Sequence, residues 1–182
     1  TLQIETDIAE ISKNKDHVEK IMLYLDGEPL LDNKQPEKIR KLKSAGIKTV
    51  NISTNASLLD DKKGLKLLEA GIDEVFISID SLNKDVFEEI RVGLDFNIVY
   101  KNTIDFIRLR DQVNSNSIIR ILTVVQEKNH TEVFDWAKHW EPFLSKNDLA
   151  APLWLDCTYH LQVTFPKNHT LTQTCVSSNV ES

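Results

Sequence analysis

The sequence predicts an α/β fold: a partial (β/α) barrel of parallel strands followed by a short C-terminal β-hairpin. Three observations predict it. Apolar runs of strand length alternate with stretches of helical period at roughly 25–30 residues per unit, the size of a βαβ step. Two helices end on the same Ala-Gly-Ile, at residues 45–47 and 70–72, each passing from a glycine stop into the next strand. Four apolar runs are each followed at once by short polar side chains. An eight-fold barrel takes about 250 residues, so the 182 residues here supply only part of one. An open doubly wound sheet is the other arrangement the pattern allows.

Residues 4–19 read as a helix, with Ile4, Ile8, Ile11 and Val18 near helical spacing. Residues 20–26 read as the first strand, a buried run from Ile21 to Leu25 that stops at Asp26-Gly27. Pro29 bars it from continuing as a central ladder member. Gln35-Pro36-Glu37 opens a helix that ends near Ala45, with proline at a favourable first-turn position. Residues 48–53 form the second strand and 58–70 a helix, and residues 74–79 form the third strand. A short helix over 84–91 has Asn83 as its cap. A longer helix runs over 96–111, the fourth strand over 118–125, and a helix carrying Trp136 and Trp140 over 131–144. Pro152 breaks the rhythm, so residues 1–150 are read as the barrel and 151–182 as a separate C-terminal segment. In that segment Leu161, Val163 and Phe165 alternate, Pro166-Lys167-Asn168-His169 turns, and residues 170–175 return as the second arm of a hairpin.

Composition narrows the function classes. With 41% hydrophobic and 27% charged residues the chain has globular values. A net charge of −6 argues against broad binding to nucleic acid. No apolar run reaches the length of a membrane span, and no leader of the secretory type opens the chain. Two cysteines, Cys157 and Cys175, do not make a disulfide framework, so a cytoplasmic setting is expected. Thr1 in place of methionine, and the end at Glu181-Ser182, give the expectation of a fragment.

The polar residues after the four strands are Asp26 and Glu28, then Ser53, Thr54 and Asn55, then Ser78, Asp80 and Ser81, then Gln126 and Glu127. In a parallel sheet they share one rim, where ligands of such folds bind. Carboxylates, hydroxyls and amides there suit an amine-bearing or ribose-bearing ligand. Loops that face water are polar anyway, but that does not explain the immediate onset after four buried runs. The five histidines are scattered, and neither a nucleophile elbow nor a Walker or dinucleotide glycine pattern occurs. No catalytic residue is nominated. Asn-x-Ser/Thr triplets at Asn51, Asn55, Asn129 and Asn168 carry no meaning in a cytoplasmic chain.

Taken in order, these strand ends resemble the radical S-adenosylmethionine superfamily over residues 20 to about 145. Leu25-Asp26-Gly27-Glu28-Pro29-Leu30-Leu31 is similar to the family's Gly-Gly-Glu-Pro motif, which meets the amino group of S-adenosylmethionine. That resemblance implies binding by Gly27, Glu28 and Pro29. Ile52-Ser53-Thr54-Asn55 resembles the Thr-Asn-Gly segment and implies Thr54 and Asn55, with Ala56 where glycine is usual. Ile77-Ser78-Ile79-Asp80-Ser81 resembles the strand end that contacts ribose, which implies Ser78 and Asp80, the latter with two oxygens for two hydroxyls. Residues 85–91 resemble the helix that follows, and imply Arg91 as a fork on the methionyl carboxylate; an intrahelical pair with Glu88 is the competing role. Residues 121–125 resemble the strand against which adenine lies, which implies Val124.

The resemblance implies S-adenosylmethionine and a [4Fe-4S] cluster as cofactors, an electron donor as partner, reductive cleavage of S-adenosylmethionine and hydrogen abstraction from a substrate. Two departures stand out. Asp26 replaces the first glycine of the motif, and the family's Cys-x3-Cys-x2-Cys cluster loop is absent. This chain alone is therefore expected to be inactive. Cys157, the hairpin and Cys175 resemble the start of a SPASM-like auxiliary-cluster extension, which implies both cysteines as metal ligands and tilts the substrate toward a peptide or protein. Two thiolates do not complete a cluster that usually needs four. The alternative function is a cluster-less barrel that binds a nucleoside-like ligand or a partner. An unrelated (β/α) enzyme would need a lysine or phosphate-binding glycines at the strand ends.

Overall fold

A computed structural model describes residues 8–11, 13–24, 27–154, 163–164 and 170–171. Five strands form one sheet: β1 (Lys20–Met22), β2 (Thr49–Thr54), β3 (Glu74–Ser78), β4 (Ile118–Val125) and β5 (Leu149–Trp154). All are parallel and lie side by side in chain order. That order decides between the two arrangements the sequence allows. A doubly wound sheet reverses direction at a switch point. Here every crossover advances one strand the same way, and crossovers of one hand then place all helices on one face. The sheet is that of a partial barrel.

The helices are α1 (Gln35–Ser44), α2 (Asp61–Glu69), α3 (Lys84–Ile90), α4 (Phe96–Gln112) and α5 (Val133–Trp140). Asp60, Asn83 and Asp95 cap α2, α3 and α4, each side chain accepting from backbone N–H groups of the first turn. Helices α2 and α4 approach closely at Gly64, where a Cβ would lie 2.9 Å from the Phe106 ring. Residues 8–11 and 13 are helical, within the helix expected over 4–19.

Strand burial alternates strictly in β4, where Ile119, Ile121, Thr123 and Val125 are buried and their neighbours only partly so. Through the register, Val50, Ile52, Val75 and Ile77 share that covered side, each 0% exposed. The other side, the open face, carries Met22, Asn51, Ser53, Glu74, Phe76, Ser78, Arg120, Leu122 and Val124.

Three expectations need correction. The run from Ile21 is not a buried strand: β1 covers three residues, pairs only with β2 among the described residues, and leaves Met22 60% exposed. Leu25 and Asp26 lie outside the described residues. The helix over 131–144 is three pieces: 3₁₀ turns at His130–Glu132 and Glu141–Phe143 flank α5, the second because Pro142 cannot continue an α-helix. Finally, residues 149–154 form β5, in register with β4 from Arg120–Leu149 to Val125–Trp154, so residues 151–154 belong to the sheet. Pro152 is tolerated because β5 has only one neighbour among the described residues. The hairpin pairs Val163 with Leu171 and Thr164 with Thr170. Cys157 and Cys175 lie outside the described residues.

Two aspartates fasten the strand entries. Asp73, just before β3, accepts the Val50 N–H of β2 at 2.8 Å and pairs with Lys43 near the end of α1. Asp148, just before β5, accepts the Ile119 N–H of β4 at 2.8 Å and takes both terminal nitrogens of Arg110, near the end of α4, at 2.8 and 2.7 Å. Burial by itself would lower the Arg110 pKa, but the carboxylates of Asp148 and, after it, Asp111 outweigh burial and raise it. Both side chains are buried; Arg110 Nε also pairs with the exposed Asp111 at 2.7 Å, but removing Asp148 leaves the buried terminal nitrogens of Arg110 without their carboxylate and the Ile119 N–H without its acceptor. Asp148→Ala is expected to lower stability by about 3–5 kcal/mol, measured as a lower urea midpoint with unchanged slope. A loss comparable to that of an exposed ion pair contradicts this role.

Candidate functional site

The strand C-termini bring most of the expected residues to one rim. Gly27 has φ +82°, a backbone shape that suits glycine, and it turns the chain after β1. Pro29 then opens a 3₁₀ turn at Pro29–Leu31. Glu28 caps that turn and reaches across to β2. Its Oε1 accepts from the Leu30 N–H at 2.9 Å and from the Thr54 hydroxyl at 2.7 Å, and its Oε2 accepts from the Asn55 N–H at 2.8 Å. With one donor on Oε2, that oxygen keeps room for an ammonium. A cavity of about 450 Å³ adjoins it, lined by residues that include Met22, Tyr24, Gly27, Leu31 and Lys38.

Asn55 accepts the Ser57 N–H and hydroxyl on its own amide oxygen. Ala56 has φ +58°, in the left-handed region. This accounts for glycine being the usual residue there: alanine holds the shape at a cost, offset by full burial of its methyl and by the bonds of its carbonyl to the Leu59 N–H and the Asn102 amide.

Asp80 is placed differently from the expectation of two free oxygens. Its side chain is 1% exposed. Oδ1 accepts the Val124 N–H of β4 at 2.8 Å, and Oδ2 takes Arg91 Nε in a short ion pair. A buried carboxylate must be fully paired, and here it is. Arg91 therefore pairs with Asp80 rather than Glu88, whose carboxylate accepts the Phe96 N–H. The two terminal nitrogens of Arg91 stay available. Ser78 and Val124 are half-buried on the open face.

Two residues of the rim carry no signal beyond ordinary polarity in the sequence. Asn129, 1% exposed, donates to the carbonyls of Asp80 and Val124 and accepts the Gln126 N–H, so it closes the loops after β3 and β4 together. Trp136 donates its indole N–H to the Ile79 carbonyl at 2.9 Å. Only the abrupt polarity after β4 hints at Asn129.

Below the rim, the open face holds a charged group. Glu74 accepts from Lys20 at 2.6 Å, from Arg120 at 3.1 Å and from the Asn51 amide at 3.3 Å. Burial by itself would raise the Glu74 pKa, but those three hydrogen bonds outweigh it and hold the carboxyl below its ordinary value of 4.5. No cluster of metal-ligating type occurs among the described residues.

A family model described as the Radical SAM superfamily matches residues 2–134. A probable GTP 3',8-cyclase of Methanococcus maripaludis is 41% identical over 75 residues, covering 41% of this chain and 25% of that protein. One of Sulfolobus acidocaldarius is 36% identical over 110 residues, covering 60% and 33%. The GTP 3',8-cyclase of Limosilactobacillus fermentum is 29% identical over 139 residues, covering 76% and 39%. In each case the chain spans well under half of the relative's length. Among solved structures, anSMEcpe with bound AdoMet and Cp18Cys peptide has a TM-score of 0.61 at 20% identity, covering 91% of this chain and 46% of that one. TYW1 with a lysine-pyruvate adduct has a TM-score of 0.52 at 15% identity, covering 91% and 53%. At these identities the structures show a shared fold.

The depressed Glu74 pKa has a consequence for stability. A carboxylate whose folded pKa lies below its unfolded one contributes stability that is complete above the unfolded value and lost as pH falls through the folded one. Glu74→Gln is expected to flatten the fall in stability below pH 4.5, the ordinary glutamate value, read from urea midpoints against pH. An acid profile identical to that of the wild type contradicts the ion pairing.

Proposed function

The chain belongs to the radical SAM superfamily, and from that premise we propose that it is the S-adenosylmethionine-binding barrel core of an enzyme that cleaves this cofactor reductively and abstracts hydrogen from a substrate. The observation that carries the proposal is the rim itself: Glu28, Asn55 and Asp80 follow β1, β2 and β3, Val124 lies near the end of β4, and Arg91 joins them from the end of α3 through Asp80, with the strands tied across by the Glu28–Asn55 and Asp80–Val124 hydrogen bonds. The family uses S-adenosylmethionine with a [4Fe-4S] cluster.

The described residues fit the first of these cofactors. Glu28 Oε2 takes the ammonium of the methionyl group. Arg91, oriented by Asp80 through Nε, presents its two terminal nitrogens to the carboxylate as a fork. Ser78 offers a hydroxyl on the open face for the ribose, and Val124 an apolar surface for adenine. Asp80 positions Arg91 and the end of β4 instead of meeting the ribose with two free oxygens. The described residues do not fit the cluster, since none of them is a cysteine, and no electron-transfer step is assigned to them. The part of this chain is to orient the cofactor and the substrate.

Two substrate readings follow. A peptide or protein side chain is supported by the hairpin that follows the barrel. A purine nucleotide is supported by the cyclase names of relatives that are 36–41% identical to this chain. Binding of GTP, with no binding of a cysteine-containing peptide, favours the second reading; the opposite result favours the first.

Calorimetric titration of the chain with S-adenosylmethionine tests the cofactor site. Glu28→Gln and Arg91→Gln are each expected to weaken binding by about tenfold or more, the worth of one hydrogen bond to a charged group. Arg91→Lys, which keeps the charge and loses the fork, should fall between. Unchanged affinity in both glutamine variants sinks the proposed cradle.

A further inference from the structure

We infer that the open face carries an oxyanion subsite of its own, built on Arg120, Phe76 and Asn51, which takes a carboxylate or phosphate with a hydrogen-bond donor beside it. The inference deepens the proposed function and rests on it in one respect only, that the substrate lies on this face.

The charges point to an anion. Lys20 and Arg120 both converge on the one carboxylate of Glu74, which leaves a net positive charge among these three. Arg120 spends only Nη2 on Glu74, at 3.1 Å. Its Nε–H, both hydrogens of Nη1 and the second hydrogen of Nη2 remain as donors, on a side chain 31% exposed. The guanidinium stands 6.0 Å from the Phe76 ring centroid, so the ring steadies it while its edge stays free. The second Nη2–H, paired with the N–H of the nitrogen on that side, keeps one guanidinium edge with two free donors, which matches an oxyanion in a fork.

The second observation is independent of charge. Asn51 is 0% exposed and lies on the same face, paired in register with Glu74. Its Nδ2 donates to Glu74, but its Oδ1 is buried and accepts no hydrogen bond among the described residues. A buried acceptor left unpaired is unfavourable, and a donor on a bound ligand would satisfy it. An ion-pair network serving stability alone explains the bonds to Glu74. It does not explain the unmatched carbonyl of Asn51 or the unused donors of Arg120.

An occupant must therefore bring an oxyanion and a neighbouring N–H or O–H. A peptide acid has a carboxylate next to an amide N–H, and a phosphate monoester has an O–H beside its charged oxygens. Both are sources of the same chemistry.

The test titrates the 182-residue chain with N-acetylglycine, inorganic phosphate and propionate, and follows arginine Nε–Hε, asparagine side-chain and backbone amide signals by NMR. Saturable binding of N-acetylglycine, phosphate or both is expected, with shifts at Arg120 and the Asn51 amide. Binding of only one of the two identifies the source. Propionate, which has no donor beside its carboxylate, should bind about tenfold more weakly than N-acetylglycine, and Arg120→Gln should weaken the bound probe by a similar factor. Arg120→Lys keeps the pair with Glu74 and loses the fork, so it replaces the glutamine variant if that variant does not fold. The inference is overturned if neither probe saturates, if both Arg120 variants bind as the wild type does, or if the shifts fall elsewhere. Titration of the same samples with S-adenosylmethionine separates the two ideas: loss of that binding with intact probe binding counts against the cofactor cradle alone.

Discussion

Four carboxylates, Glu28, Asp73, Asp80 and Asp148, each accept a backbone N–H from the adjacent strand or the residue just past its end, and the order of the sheet rests on them. A parallel ladder leaves N–H groups near its ends without a partner in the ladder, and buried N–H groups must be satisfied. Here a side chain from just beyond one strand satisfies its neighbour. Each carboxylate gains a second anchor as well: Thr54 for Glu28, Lys43 for Asp73, Arg91 for Asp80 and Arg110 for Asp148. Strand register and helix placement are thereby fixed by the same four groups.

The two carboxylates at the rim are where fold and cofactor site coincide. Glu28 holds the ends of β1 and β2 together and still has room on Oε2. Asp80 has none left, yet it determines where Arg91 points. A rim set by hydrogen bonds already formed needs little reorganisation when a charged ligand arrives, which is the condition for strong electrostatic binding. Asn129 and Trp136 extend this arrangement by gripping the backbone around Asp80 from the far side.

How much was legible in the sequence varied with the kind of signal. Strand β4 matches the expected 118–125 because its alternation and length both speak for a strand. Helix α3 and its Asn83 cap were equally plain. Strand β5 was hidden: Ala150 and Ala151 lack the bulk, and Pro152 the N–H, by which a central strand is known, and a strand with one neighbour among the described residues tolerates both. The rim residues were found because polarity follows buried runs directly. The partners of Asp80 were not, because its burial depends on the register of β3 against β4, which no local pattern encodes. Asn51 and Asn129, read only as triplets without meaning, are 0% and 1% exposed, since strand faces and loop closure decide burial rather than residue type.

The fastenings alternate between the ends of the sheet. Glu28 joins β1 to β2 at the rim and Asp73 joins β2 to β3 at the floor; Asp80 joins β3 to β4 at the rim and Asp148 joins β4 to β5 at the floor. The structural period is therefore two strands rather than one, with Glu28 and Asp80 as counterparts and Asp73 and Asp148 as counterparts. A sheet enlarged by duplicating such a two-strand unit brings its own bolts with each copy, together with an acidic group at the ligand-facing end. Recognition chemistry at every second rim position is then a by-product of how the scaffold is stitched: Glu28 keeps room on Oε2, while Asp80, fully paired, turns Arg91 toward the rim.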